Sequence, residues 1–259
     1  MKPRTSNLKE KKEDTFFSEE MLKKLDPKKV PQHIAIIMDG NRRWANSNKF
    51  SAFLGHSKGA DNLTPIVQAA AEIGIKVVTV FAFSTENWQR SKNEIDHLIQ
   101  LFEKYLVEKR EFLKKNNVKI QMIGDISAFP KSLQKVYAET QAATCKGNKI
   151  TLVLALNYGA KDEMIRAVKK ILMDYDQKKI NKNEINEKKI NNYLDTANLP
   201  DPDLIIRTSG EKRLSNFLLW QSSYSEIYFV DVLWPDFSVQ DLFYAVRDYQ
   251  KRKRRRGGT

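Results

Sequence analysis

The sequence predicts an α/β fold: a single domain with a central, mostly parallel six-stranded sheet flanked by helices. Three observations predict it. Short apolar runs rich in Val, Ile and Phe alternate with longer stretches whose apolar residues recur at helical spacing. Such alternation makes a parallel sheet covered on both faces. Several apolar runs also end abruptly in polar, arginine-bearing clusters. Open α/β sheets bind ligands there, beyond the carboxyl ends of their strands.

The elements follow in order. Residues 1–30 read as a polar arm with one amphipathic piece, where Ser18 caps a short helix with Met21, Leu22 and Leu25 on one face. This piece is either a packed arm or a membrane-contacting or gate-covering helix. Residues 31–250 read as the folded domain, and 251–259 as a basic tail. His33 to Met38 is a buried strand that stops at Asp39-Gly40-Asn41. Asp61 to Gly74 is a helix on its Leu63, Ile66, Val67, Ala70 and Ile73 spacing. Lys76 to Phe83 is a strand and Lys92 to Lys115 a long helix. Val118 to Ile123 is a strand, and Pro130 to Thr144 a helix with proline in its first turn. Ile150 to Leu156 is a strand and Lys161 to Tyr175 an amphipathic helix. Lys178 to Lys189 is a low-complexity insert leading into a short helix that ends near Leu194. Leu204 to Arg207 and Ile227 to Leu233 are the last strands, and Ser238 to Gln250 closes the chain as a helix.

Bulk properties narrow the function. The lone Cys145 rules out an internal disulfide and a cysteine-based zinc site, and the three scattered histidines argue against a histidine cluster. No apolar run reaches the ~18 residues needed to span a bilayer, and the N-terminus lacks a signal-peptide core. The expected location is the cytosol or the cytosolic face of a membrane. The formal net charge of +13 fits nucleic acid, an anionic membrane or a phosphorylated small molecule. The body carries no nucleic-acid-binding motif, so no nucleic-acid partner is expected.

Four strand ends carry polar clusters: Asp39 to Arg43, Phe83 to Arg90, Asn157 to Gly159, and Arg207 to Ser215. Together they bring Arg43, Arg90, Arg207 and Arg213 to one edge with few carboxylates, which predicts a polyanionic ligand. Asp39 offers oxygen to a hard cation beside guanidinium groups suited to phosphate. Gly55 to Ala60 reads as a glycine-flanked turn before the second helix, where backbone N–H groups could meet phosphate. It is not a Walker A loop, and His56 reads equally as a helix-start hydrogen-bonding residue.

These segments, with Arg213 to Trp220 and Glu226 to Asp236, resemble the cis-prenyltransferases, the family of undecaprenyl and dehydrodolichyl diphosphate synthases. The resemblance covers about Pro31 to Gly258. It implies a Mg²⁺-dependent transferase that condenses isopentenyl diphosphate repeatedly onto an allylic primer such as farnesyl diphosphate. The polyprenyl diphosphate product would serve a dolichol- or undecaprenol-type sugar carrier. By the same resemblance Asp39 is catalytic and a metal ligand, with Asn41 beside it. Asn41 and Arg43, with the Gly40 backbone and Arg90, fall on the primer side, and Trp44 and His56 are further substrate-binding positions. Arg207, Arg213 and Ser215 fall on the isopentenyl diphosphate side, and Glu226 on a metal-linked carboxylate. Phe83, Ser84, Glu86 and Trp88 match a flexible substrate-positioning loop. Leu98, Phe102 and Leu106 of the long helix line a hydrophobic tunnel or simply pack the core, and Ile150 falls at the tunnel floor. Arg255 and Gly257 match an Arg-x-Gly element that reaches across a homodimer to the isopentenyl diphosphate site. Peripheral membrane contact is left open by the resemblance, at the endoplasmic reticulum if the chain is eukaryotic.

The chain departs from the family pattern at named positions. Ala52 stands where an arginine is usual, so the primer grip is expected to be weaker or supplied by another residue such as Lys49. Arg42 replaces a glycine common in bacterial members, and Lys212 a histidine. The rival reading is a non-catalytic accessory subunit, which Asp39, Arg43, Arg207 and Arg213 argue against.

Overall fold

The computed structural model describes residues 15–255. Six strands form one sheet: β1 (His33–Ile37), β2 (Val77–Ser84), β3 (Val118–Ile123), β4 (Ile150–Tyr158), β5 (Leu204–Arg207) and β6 (Glu226–Phe229). Their order is β3-β4-β2-β1-β5-β6, and every neighbouring pair is parallel. The helices are α1 (Glu19–Leu22), α2 (Asn41–Ser47), α3 (Ala52–Glu72), α4 (Lys92–Lys115), α5 (Lys131–Thr144), α6 (Ala160–Asp176), α7 (Glu187–Asn191) and α8 (Val239–Lys251). Strand order turns back at β1: β2, β4 and β3 build to one side, β5 and β6 to the other. That reversal opens a crevice at the carboxyl ends of β1 and β5.

Both faces of the sheet are buried, which explains why the strands read as near-continuous apolar runs. Side chains still alternate between two cores. Ile34, Ile36, Val78, Val80, Leu152 and Leu154 join α3, α4 and α8 in the larger core. Ala35, Ile37, Val77, Val153, Ala155 and Ile205 face the smaller one, which Phe217 and Leu218 fill.

The α4 and β3 spans match the sequence expectation, and α5 differs only in starting at Lys131. Helix α3 begins nine residues earlier than its apolar spacing indicated, because Ser51 caps it by accepting the Leu54 N–H. The Gly55 to Ala60 stretch is therefore helix interior and not a phosphate-binding turn. Its glycines serve packing instead. A Cβ on Gly55 would lie 2.2 Å from the Asn41 carbonyl oxygen, and one on Gly59 2.3 Å from Asn41 Oδ1. The preceding short helix α2 is laid directly on them. Strand β4 runs on to Tyr158. Strand β6 stops at Phe229, short of Leu233, since β5 ends opposite it at Arg207. Residues 230–232 turn instead onto Ser209 and Gly210, whose N–H groups donate to the Val232 and Val230 carbonyls.

The described part of the arm is packed. Phe17 is buried with its ring 5.6 Å from Phe243, and the Phe16 and Phe17 N–H groups donate to the Glu72 carboxylate. Ser18 caps α1 as expected, and Leu25 is buried while Met21 and Leu22 are half-buried. No helix among the described residues is long and apolar enough to cross a membrane.

His33 starts β1 with both ring nitrogens engaged, one with the Pro200 carbonyl and one with Thr79 Oγ1, each at 2.7 Å. Burial pushes its pKa down from 6.5 to about 4. The unfolded chain therefore takes up this proton first. The neutral ring's contribution is complete above about pH 6.5 and is lost as pH falls towards about 4. The loss amounts to roughly 3 kcal/mol. Urea unfolding of His33→Gln is expected to show a flatter pH dependence across that window than wild type. Gly55→Ala forces α2 from α3 and is expected to cost about 1–3 kcal/mol, read as a lowered midpoint with folding retained.

Candidate active site at the carboxyl edge of the sheet

The chain leaves β1 through a tight reversal. Gly40 has φ +108°, and a Cβ there would lie 2.9 Å from Leu233 Cδ2. Only glycine suits both demands. The reversal places Asp39 beside Arg207 at the end of β5. Arg207 Nη2 donates to Asp39 Oδ2 at 2.8 Å, and Arg43, one turn into α2, donates to Oδ1 at 3.3 Å. Thr208 ties the two strand ends together, accepting the Asp39 N–H at 2.9 Å and donating to its carbonyl at 2.6 Å. Burial pushes the Asp39 carboxyl up, but Arg207 and Arg43 outweigh it and hold it below the usual carboxylate range. It stays ionised at neutral pH.

Around this pair lies an open polar cavity of about 540 Å³, lined by Asp39, Ser84, Glu86, Arg90, Arg207 and Ser215 among others. Arg207 is nearly fully buried, donates to Ser215 Oγ at 2.7 Å and to the Arg213 carbonyl, and its Nε has no hydrogen-bond partner. Arg43 reaches the Ser209 carbonyl at 3.1 Å and its hydroxyl at 2.5 Å. Ser209, Ser215, Asn216 and Leu218 all have positive φ, so the whole 209–218 segment follows an unusual path around the cavity.

The four arginines are not short of carboxylates, contrary to the sequence expectation. Arg207 pairs with Asp39, Arg43 with Asp39 and Glu211, Arg213 with Glu211, and Arg90 with Glu94 at 3.1 Å. These partners hold the guanidinium groups in place without filling the cavity. Glu94 is the densest node: it also meets His56 Nε2 at 3.3 Å and Arg42 at 4.0 Å. Burial and then the nearby Arg90 push the His56 ring below its ordinary pKa, despite Glu94.

Other predicted residues fall elsewhere. Trp44 donates to Asp236 at 2.8 Å and does not line the polar cavity. Phe83 is fully buried among Trp88, Phe102 and Phe129, so it is a core residue. Trp88 is pinned to Asn157 Oδ1 at 2.8 Å. Ser84 and Glu86 do face the cavity, with Glu86 accepting from Asn216 at 3.0 Å. The Arg213 side chain turns to Glu211, leaving its carbonyl to Arg207.

Glu226 requires a correction as a metal partner of Asp39. It begins β6 level with Leu204, while Arg207 is level with Phe229, three residues on. Glu226 is thus at the amino edge, roughly 10 Å from the Arg207 level. There it pairs with Arg252 at 2.8 Å. A single chain cannot bring both carboxylates to one ion. The tail shares that edge: Arg254 pairs with Asp203 at 2.8 Å, and Arg255 follows, exposed. Gly257 lies outside the described residues. Thr208, Glu94, Glu211 and Asn216 were not foreseen as site residues. Thr208, Glu211 and Asn216 had a local signal, since they lie within the strand-end segments Arg207 to Ser215 and Arg213 to Trp220.

Beneath the polar site, Met38 links it to a narrow apolar cavity of about 70 Å³ between α3 and α4. Asn41 and His56 line its upper end, and Leu98, Phe102 and Leu106 its α4 side.

A family model described as "Putative undecaprenyl diphosphate synthase" matches residues 37–257. An isoprenyl transferase of Chlamydia muridarum is 50% identical over 232 residues, covering 88% of this chain and 92% of the relative. One from Clostridium tetani is 46% identical over 235 residues, covering 91% and 92%. Among solved structures, lavandulyl diphosphate synthase from Lavandula x intermedia, in complex with dimethylallyl diphosphate, superposes with a TM-score of 0.87 at 34% identity. That match covers 89% of this chain and 100% of the other. A probable undecaprenyl diphosphate synthase from Campylobacter jejuni gives 0.74 at 36% identity, covering 88% and 99%. On this likeness in sequence and fold, the chain belongs to the undecaprenyl diphosphate synthase family of cis-prenyltransferases.

Proposed function

We propose that this protein condenses isopentenyl diphosphate repeatedly onto an allylic diphosphate primer such as farnesyl diphosphate, releasing a polyprenyl diphosphate for a dolichol- or undecaprenol-type sugar carrier. One observation carries the reading: an arginine-bound, ionised Asp39 in a polar cavity that shares Met38 with an apolar one. Diphosphates suit the first and a prenyl chain the second.

Magnesium fits the donor set at Asp39. Mg²⁺ commonly keeps several waters and takes one or two carboxylates plus substrate phosphates. A lone, half-exposed, ionised carboxylate at the cavity suffices, and among the described residues no cluster of three or more His, Cys, Asp or Glu offers a full protein cage. When bound, the ion supplies charge neutralisation to the departing diphosphate. Arg43 and Arg90, with the Gly40 backbone and Asn41, hold the primer diphosphate. Arg207 and Ser215, with Arg213, hold isopentenyl diphosphate. Arg207 is held in place beforehand by Asp39, Ser215 and the Arg213 carbonyl, so its charge is already fixed at the cavity wall. Loss of the primer diphosphate leaves an allylic, carbocation-like carbon, which the isopentenyl double bond attacks; the tertiary cation so formed loses a C2 proton, taken up by the released diphosphate, and the double bond is restored. The extended chain then moves down into the apolar cavity.

The enzyme acts as a homodimer in this reading. Arg252 and Arg254 fasten the tail at the amino edge, opposite its own Asp39, so Arg255 and Gly257 serve a second copy's site. The charge of +13 is compatible with peripheral contact to an anionic membrane from the cytosol.

The deciding assay incubates the purified chain with farnesyl diphosphate, labelled isopentenyl diphosphate and Mg²⁺, then sizes the lipid products. Elongation by this chain alone is expected; activity that appears only with a second protein would make it an accessory subunit. Asp39→Ala is expected to lower kcat by on the order of 10²–10³ or more, with the fold intact by circular dichroism. Mixed dimers of Asp39→Ala with a chain cut after Lys253 are expected to regain part of the activity that each lacks alone.

A further inference from the structure

The apolar cavity carries one hydroxyl below its mouth. Past Asn41 and His56 the lining is aliphatic and aromatic, with Leu63, Leu101, Phe102, Leu106 and Leu154, until it meets Tyr105. The Tyr105 hydroxyl lies 3.4 Å from Thr64 Oγ1, so a hydrogen bond ties this lining residue of α4 to α3. Burial pushes this phenol up to about 12. Buried phenols of this kind seek a partner, and Thr64 is the one at hand. Pro65 next to Thr64 lacks an N–H, so α3 is missing one rung of its ladder at that point.

Depth places the link. Helices α3 and α4 both run from the carboxyl edge of the sheet to the amino edge, since each precedes the next strand. Thr64 is eight residues below His56, about 12 Å down α3, and Tyr105 eleven below Glu94, about 16 Å down α4. Ile150, the expected tunnel floor, starts β4 four residues below Leu154, about 13 Å further along the strand. Ile150 is buried and lies outside the cavity lining. Tyr105 and Leu106 are the lining residues furthest down α4, so the cavity's α4 wall ends there, well above the position that the sequence suggested.

We propose that the Tyr105 side chain, latched to Thr64 of α3, is the stop that sets product length in this protein. The inference rests on the elongating activity proposed above. A prenyl chain growing downward gains apolar burial at each step until it reaches this ring. Passing it requires breaking the link and leaving a phenol hydroxyl unpaired among apolar groups, which is unfavourable. Tyr105 acts on chain length and not on the bond-forming step.

The test is the product distribution, sized after removal of the diphosphate, for purified wild type, Tyr105→Ala, Tyr105→Phe, Thr64→Val and Ile150→Ala. Tyr105→Ala is expected to shift the main product longer by at least one isoprene unit, with initial incorporation within about threefold of wild type. Tyr105→Phe and Thr64→Val keep the volume and lose the link, so they are expected to fold normally and broaden the distribution towards longer products. Ile150→Ala is expected to lengthen the product only when combined with Tyr105→Ala. Unchanged lengths in Tyr105→Phe and Thr64→Val, or lengthening by Ile150→Ala alone, overturn the stop. Absence of elongation by wild type is a different result, and overturns the underlying activity.

Discussion

The pairing of Asp39 with Arg207 across the ends of β1 and β5 is the contact on which the rest of the site depends. It occurs where strand order reverses, so two chain segments 168 residues apart are brought together by topology alone. Arg207 is shielded from water, where an unmatched charge would be costly, and the partly exposed Asp39 supplies the match. Thr208 bonds to both the N–H and the carbonyl of Asp39, so the two strand ends cannot shift independently. Gly40 then aims α2 back across the crevice and delivers Arg43 to the same carboxylate. Charge, backbone path and helix placement thus meet at one residue.

A second constraint is the contact between α2 and α3. Gly55 and Gly59 lie one helical turn apart and present no side chains, so Asn41 settles directly against them. This closeness has an electrostatic consequence through His56, which is one residue past Gly55. The imidazole lands against Glu94, which also receives Arg90. Glu94 therefore joins the start of α3 to the start of α4 and sets where Arg90 enters the cavity. With Ala52 uncharged, Arg90 and Arg42 are the guanidinium groups that Glu94 gathers there.

Local signals made much of this legible in the sequence. The α4 and β3 boundaries could be read because the apolar pattern marks them without help from distant residues. The parallel sheet followed from alternation, and the strand-end clusters did assemble on one edge. What stayed hidden was long-range. The early start of α3 violates apolar periodicity because its first two turns pack on α2 and not on the sheet. The arginines looked unbalanced since Glu94 and Glu211 reach them only in the fold. Glu226 matched a metal-linked carboxylate, but a motif carries no information on which end of a strand it occupies. Phe83 and Trp88 belonged to a functional wording yet fill an aromatic core cluster.

The segment that curves around the cavity holds a different lesson. Ser209, Ser215 and Asn216 sit at φ of 76°, 50° and 62°, a region in which glycine is at ease and other residues are strained. Glycine at any of them would relax the backbone and erase a bond: Ser209 to Arg43, Ser215 to Arg207, Asn216 to Glu86. The chain thus keeps local discomfort for the sake of three side-chain atoms. Stability and side-chain order are opposed along this one loop, so a thermostabilised version of the protein obtained by easing these turns would be a better-folded molecule with Arg43, Arg207 and Glu86 less firmly held.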